Sequence, residues 1–235
     1  MSDDTPGVSF FSGVVHEASF MWVIPWRACR FCGKSRRFET PLCDECLKKF
    51  DEAAQDIPPV RLTEERFLIH IAFWYEGFLR ELFLMAKFQA DRSIADFLIR
   101  KSFTRLGLSD DIGVWLPVPP DPGRLMQRGI ALPDRMAYRF SRLTGIPWSP
   151  EGGRPGMDAE SKFMKRIERL SRRGEERWSP LQSVSGFSGK DVCLLDDLVT
   201  TGETLLSFSR FRRREGDHVV MAAALFASRF RFPGS

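Results

Sequence analysis

Val192-Cys193-Leu194-Leu195-Asp196-Asp197-Leu198-Val199-Thr200-Thr201-Gly202-Glu203-Thr204-Leu205 is the stretch that decides how this chain reads. Four apolar residues run straight into two adjacent carboxylates. A short run of small and hydroxylated residues follows, and then a helix begins. The pattern predicts a strand over 192–195, a loop over 196–203 and a helix over 204–213. The carboxyl end of a parallel strand is where open α/β sheets bind ligands. Amides at a helix N-terminus point toward an anion, and the helix dipole favours negative charge there. Thr200, Thr201 and Thr204 add hydroxyl donors, and Gly202 lets the backbone come close to a phosphate. Two carboxylates would repel that phosphate, so Asp196 and Asp197 belong against hydroxyls or a divalent cation. The whole string describes a seat for a ribose 5-phosphate: phosphate in the loop, sugar diol on the acids, Mg2+ close by. The plainer alternative is a solvated acidic turn, with Thr201 or Thr204 an ordinary N-cap.

Outward from this stretch the chain alternates strands and helices. Residues 67–76 are β-branched and aromatic and predict a strand. Gly77 to Phe88 predicts a helix, with Phe78, Leu79, Leu82, Phe83 and Met85 near helical spacing, and 95–103 continues in that style. Ile112 to Pro120 is a short apolar strand ending in prolines. Residues 132–143 predict a helix stopped by Gly145-Ile146-Pro147, and 219–226 a final strand. This grammar indicates an α/β fold with a mainly parallel sheet flanked by helices. Residues 149–160 read as a Gly/Pro/Ser-rich loop. The expected organisation is an N-terminal segment at 1–21, a small module at 22–55 and the α/β domain at 60–235. No internal repeat or low-complexity tract interrupts it.

The small module is marked by its cysteines. Of five in the chain, four are bunched as Cys29-x2-Cys32 and, ten residues on, Cys43-x2-Cys46. Two such knuckles form a tetrahedral thiolate cage suited to Zn2+. Gly33 falls where the first knuckle needs a positive φ. Two disulfides or a redox dithiol would use the same residues, but an intracellular setting and the lack of a βαβ context argue against both. A closed four-thiolate site has no open position, so it is structural. The stretch 47–54 reads as a helix ended by Ile57-Pro58-Pro59. Cys193, inside an apolar run, reads as a small buried hydrophobe.

The chain has 235 residues, 43% hydrophobic and 28% charged, with 35 basic and 31 acidic side chains for a net charge of +4. That composition is globular and excludes collagen-like and disordered classes. No apolar run is long enough for a membrane helix. The stretch 14–24 is broken by His16 and Glu17 and lacks a basic flank, so it does not read as a signal peptide. The expectation is a cytoplasmic chain with no membrane span. From Arg124 to Arg177 there are 13 basic and 7 acidic residues. This segment reads as a solvated helical face, as a cationic loop closing over an anion, or as a track for single-stranded nucleic acid with Trp148, Phe163 or Trp178 for stacking. His16, His70 and His218 share no motif and read as structural. Ser141 and Ser171 lack a nucleophile-elbow context.

The acidic string closely resembles the PRPP-binding motif of type I phosphoribosyltransferases. With the four-cysteine module it resembles the ComF family, competence-associated phosphoribosyltransferase-like proteins. The resemblance runs from about Trp22 to Phe226. It takes in Lys87 after an apolar helix, the strand end Leu116-Pro117-Val118-Pro119, and Arg124 with Arg128-Gly129 beyond it. It implies a phosphoribosyltransferase-like fold in which Asp196 and Asp197 bind the ribose hydroxyls and act in catalysis. It further implies that Thr200, Thr201, Gly202, Glu203 and Thr204, with Val199, hold the 5-phosphate side of PRPP, and that Arg128 and Gly129 hold pyrophosphate. Here Arg128-Gly129 is followed by Ile130-Ala131-Leu132-Pro133-Asp134, where the family has a Phe-Asn-Gln-Ala-like stretch. No Gln or Asn occurs between 161 and 178, where the family carries both. The phosphate loop is intact, and the parts facing a second substrate are altered. Two functions follow as expectations. One is a phosphoribosyltransferase that binds PRPP with Mg2+ and passes the phosphoribosyl group to a nitrogen nucleophile. The other is a binding module for single-stranded DNA or DNA-processing partners in DNA uptake.

Overall fold

Five strands form one sheet in the order β1-β2-β5-β4-β3 in a computed structural model of the chain. The structure describes residues 28–54, 57–58, 60–62, 67–108, 111–119, 130–149 and 189–229. The elements are α1 (Asp44–Ala53), β1 (Val60–Leu62), β2 (Phe67–Trp74), α2 (Gly77–Phe88), α3 (Arg92–Arg105), β3 (Val114–Pro117), α4 (Leu132–Thr144), β4 (Asp191–Val199), α5 (Glu203–Arg214) and β5 (His218–Ala227). The strands β2, β5, β4 and β3 are mutually parallel, and β1 adds to β2 antiparallel. The expected α/β architecture with a mainly parallel sheet is therefore the one observed. Among the described residues, no helix is long and apolar enough to cross a membrane.

The central strands are apolar on both faces because helices cover both. On one face Phe73, Trp115, Cys193, Leu195 and Phe226 pack with residues of α1 to α4 in a single apolar cluster. On the other, Ile69, Ile71, Leu116, Leu194 and Ala224 pack under Leu205 and Phe208 of α5. Small side chains at Ala222, Ala223 and Ala224 let β5 sit at the centre of the sheet with helices close on either side. The pair α3–α4 is tied by Asp96, which accepts from Arg135 Nε and Nη2 at 2.7 Å each and also pairs with Arg139.

Element boundaries differ from the sequence reading at several places. Strand β4 runs on through Asp196 and Asp197 to Val199, so the acids lie in the ladder and the loop is only 200–202. Their backbone stays paired to β5, with Asp196 opposite Ala224 and Leu198 opposite Phe226. Helix α1 begins at Asp44, inside the second cysteine knuckle, three residues before the expected start. Strand β1 was not anticipated: three residues behind a proline pair carry no readable period. By contrast, α2 spans the predicted Gly77–Phe88.

Candidate functional site

The helices that follow β3 and β4 lie on opposite faces of the sheet. Helix α4, following β3, packs in the first cluster, and α5, following β4, packs in the second. Neighbouring parallel strands whose connections diverge leave a crevice beyond their carboxyl ends, the usual ligand position of an open α/β sheet. Here the crevice is bordered by Val118, whose amide donates to the carbonyl of Leu195 at 2.8 Å, and by the end of β4. Asp196, Asp197 and the turn Thr200-Thr201-Gly202 stand at this end of the sheet, whereas Val199 is buried in the apolar cluster beneath α5. Gly202 takes a left-handed φ of 79° as the N-cap residue of α5, a conformation favouring glycine. Having no side chain, it leaves the cap to a 3.4 Å bond from the Glu203 amide to Thr201 Oγ1. Thr200, Thr201 and Glu203 are exposed, and Thr204 is half-buried. The first turn of α5 thus presents amides and hydroxyls at the mouth of the crevice.

The acids have different surroundings. Strand alternation sends Asp197 toward the face of Leu195 and Asp196 toward that of Leu194. Asp197 is met by Lys87 from the last turn of α2, whose Nζ lies 2.7 Å from Oδ1 and 2.6 Å from Oδ2. Asp196 accepts the Asp197 amide at 2.7 Å. Burial first, and then the charge of Asp197, push the Asp196 carboxyl up to about 7, against the lowering effect of local amides and Lys87. Among the described residues no basic group bonds to Asp196. A Mg2+ ion beside the acids would find both Asp197 oxygens already held by an ammonium. The pairing of Lys87 with Asp197 spans 110 positions. Its sequence signal was limited to the place of Lys87 after an apolar helix.

The four cysteines come together as expected. Their Sγ atoms all lie within 4.8 Å of one another, and Cys32 and Cys43 are 3.6 Å apart. A tetrahedral zinc–thiolate site with bonds of about 2.3 Å needs sulfurs about 3.8 Å apart. The cluster can hold a zinc ion, and the cysteines are unpaired by disulfides. The first knuckle is a tight turn: the Gly33 amide donates to the carbonyl of Cys29, with Gly33 at a φ of 77°. The second is the start of α1, with Cys43 as N-cap and Cys46 in the first turn. Burial opposes ionisation of Cys29, but backbone donors at Cys32, Cys43 and Phe31 outweigh it and bring the thiol down to about 7. Cys193 is fully buried, and burial pushes its thiol up.

The remaining candidates are scattered. His70 is buried, with Nδ1 2.8 Å from the carbonyl oxygen of Leu106, and His218 Nδ1 lies 2.6 Å from Asp191 Oδ1. Neither touches the acid pair. Arg124, Arg128, Gly129, His16, the 1–21 segment and the basic stretch 161–177 lie outside the described residues.

Fold and site together define an α/β protein with a mainly parallel sheet, an acid pair at the end of its strand β4 and a four-cysteine cluster near the N-terminus. No family model matches the chain. It is 26% identical over 207 residues to Competence protein F of Haemophilus influenzae, covering 80% of this chain and 79% of that protein. That similarity bears out the resemblance to the ComF family.

Proposed function

We propose that the crevice at the carboxyl end of β4 binds the phosphorylated ribose of PRPP or ribose 5-phosphate, in a protein that serves competence. The observation carrying this reading is local. A half-buried carboxylate, Asp196, and a charge-paired one, Asp197, lie near the end of β4, just before the exposed Thr200 and Thr201 and the first turn of α5. Sugar hydroxyls donate to the acids while the phosphate takes the helix N-terminus, so the two halves of the ligand match the two charge signs of the site. Mg2+ belongs to this reading as a counter-ion brought on the ligand's own phosphates. With a nitrogen nucleophile as acceptor, the chemistry is displacement at the anomeric carbon. The C–N bond forms, the C–O bond to pyrophosphate breaks with its electron pair on oxygen, and the acceptor loses a proton. Positive charge developing on the sugar is favoured by the adjacent acids.

Calorimetry on the zinc-loaded chain tests the binding. Ribose 5-phosphate or PRPP gives heat in the wild type. Loss of a charge-assisted hydrogen bond, about 1.5–3 kcal/mol, weakens Asp196→Asn about tenfold or more. Absence of heat with both ligands overturns the reading. The name of the Haemophilus relative favours a second role, in handling DNA during uptake. Its signature is binding of single-stranded DNA that falls steeply with salt and on charge reversal at Arg172 and Arg173.

A further inference from the structure

Lys87 projects from the last turn of α2, and its ammonium bonds both oxygens of Asp197. The side chains are 13% and 12% exposed. Phe83, one turn back, lies under the ammonium with its ring centroid 5.0 Å from Nζ. A buried ion pair is a poor stabiliser in itself, since apolar residues of the same volume often do as well. Its position is informative. It joins α2 to the one strand among the described residues that carries adjacent acids, at the carboxyl end of the sheet, and it takes both oxygens of a single carboxylate. A hard divalent cation binds through such oxygens. Like charge keeps it from approaching a carboxylate already held by an ammonium. Asp196, next along the strand, accepts only backbone amides among the described contacts.

We propose that Lys87 is the resident counter-cation of the acid pair. It stands where a divalent ion would otherwise lie against Asp197, keeps metal off the acids of the ligand-free protein, and is drawn away by an anionic ligand. The identity of the releasing anion rests on the ribose-phosphate reading; the exclusion of metal does not. Lys87 is thus a positioning residue: it fixes the Asp197 carboxylate and sets the order in which anion and metal enter.

The test uses Mn2+ as a paramagnetic stand-in for hard divalent ions on the zinc-loaded full chain. In the wild type, the Lys87 Nζ resonance stays sharp when Mn2+ is added alone and broadens once ribose 5-phosphate is also present. Broadening by Mn2+ alone overturns the proposal. In water-proton relaxation titrations, Lys87→Met, which keeps the unbranched stem, binds Mn2+ about tenfold or more tightly than the wild type, the scale expected for removing a neighbouring positive charge. Lys87→Arg behaves as the wild type, and Lys87→Met/Asp197→Asn loses the gain. A folded Lys87→Met with wild-type Mn2+ affinity also overturns it. A merely structural lysine would change the melting point without creating a metal site. The wild-type resonance needs no variant to fold. If ribose 5-phosphate gives neither heat nor broadening while Mn2+ alone leaves the wild-type resonance sharp and Lys87→Met gains its Mn2+ site, the ribose reading fails and the counter-cation assignment stands.

Discussion

Replacing Arg30 tests whether the first cysteine knuckle is docked on the α/β core. Arg30 lies between Cys29 and Cys32, and its Nε donates to Asp91 Oδ2 at 2.7 Å. Asp91 is the N-cap of α3, and its Oδ1 accepts from the amides of Ser93 and Ile94 at 3.0 and 3.1 Å. The Arg30 side chain is 46% exposed and that of Asp91 only 6%. Solvent therefore screens one end of the pair, which limits Arg30→Ala to a cost of about 1 kcal/mol. Asp91→Asn keeps an oxygen for the cap and costs a similar amount. Asp91→Ala also removes the cap, worth about 1 kcal/mol more, for a total of about 2 kcal/mol. Urea unfolding of the zinc-loaded single and double variants then gives a coupling of about 1 kcal/mol between Arg30 and Asp91. Metal content stays unchanged, because neither residue is a thiolate. Zero coupling, or an Asp91→Asn as damaging as Asp91→Ala, would refute the reasoning. Hydrogen exchange supplies the metal link: chelating the zinc frees the knuckle, and the amides of Ser93 and Ile94 exchange faster. Unchanged exchange would mean that the knuckle does not brace α3.

Phe50 of α1 is 1% exposed and meets Phe73 and Phe97 edge-on at 5.5 and 4.9 Å. Phe50→Ala should cost about 3–5 kcal/mol and lower a single unfolding transition; two separate transitions would contradict the shared core. The Asp196 carboxyl moves from its ordinary 3.8 to about 7 in the folded chain. The folded state then holds the extra proton, so this group's contribution is full below about pH 4 and is lost as pH rises through about 7. Because the side chain keeps partial exposure, Asp196→Asn should gain about 1–2 kcal/mol at pH 8 over the wild type and nothing at pH 4, read by urea titration at both values.

The sequence patterns found the elements better than their junctions. Helix α2 was readable because Leu79, Leu82, Phe83 and Ala86 are buried on one face. The end of β4 was not, because hydropathy reports where side chains go, whereas the ladder is held by backbone. Asp196 and Asp197 look like loop residues, yet β5 keeps their peptide groups in register. The start of α1 was hidden for a related reason: Cys43 and Cys46 read as a metal turn, and nothing in that pattern says the turn is also the first turn of a helix. The break after Val199 that leads into α5 and the four thiolates were legible because each set is local in sequence. The Lys87–Asp197 and Arg30–Asp91 pairs were not, because their partners lie 110 and 61 residues apart and only the fold brings them together.

Those two pairs change what the cysteine cluster means for the rest of the chain. Cys29, Cys43 and Cys46 are buried in the same apolar cluster as Phe50, Phe73 and Leu195. Phe31, in the first knuckle, meets Phe78 at the start of α2 with ring centroids 4.7 Å apart, and Lys87 closes the same helix against Asp197. A helix of 12 residues is about 18 Å long, and it touches the knuckle at one end and the acid pair at the other. A zinc site that folded as an appendage would give its binding energy to itself alone. Here the thiolates share their apolar surroundings with the sheet, so metal binding stabilises the folded state as a whole. Chelation should therefore lower the melting of the sheet core along with that of the knuckle. If Trp115 of β3, buried against Phe140 of α4, reported unchanged melting after zinc removal, the cluster would have to be energetically separate despite its shared packing.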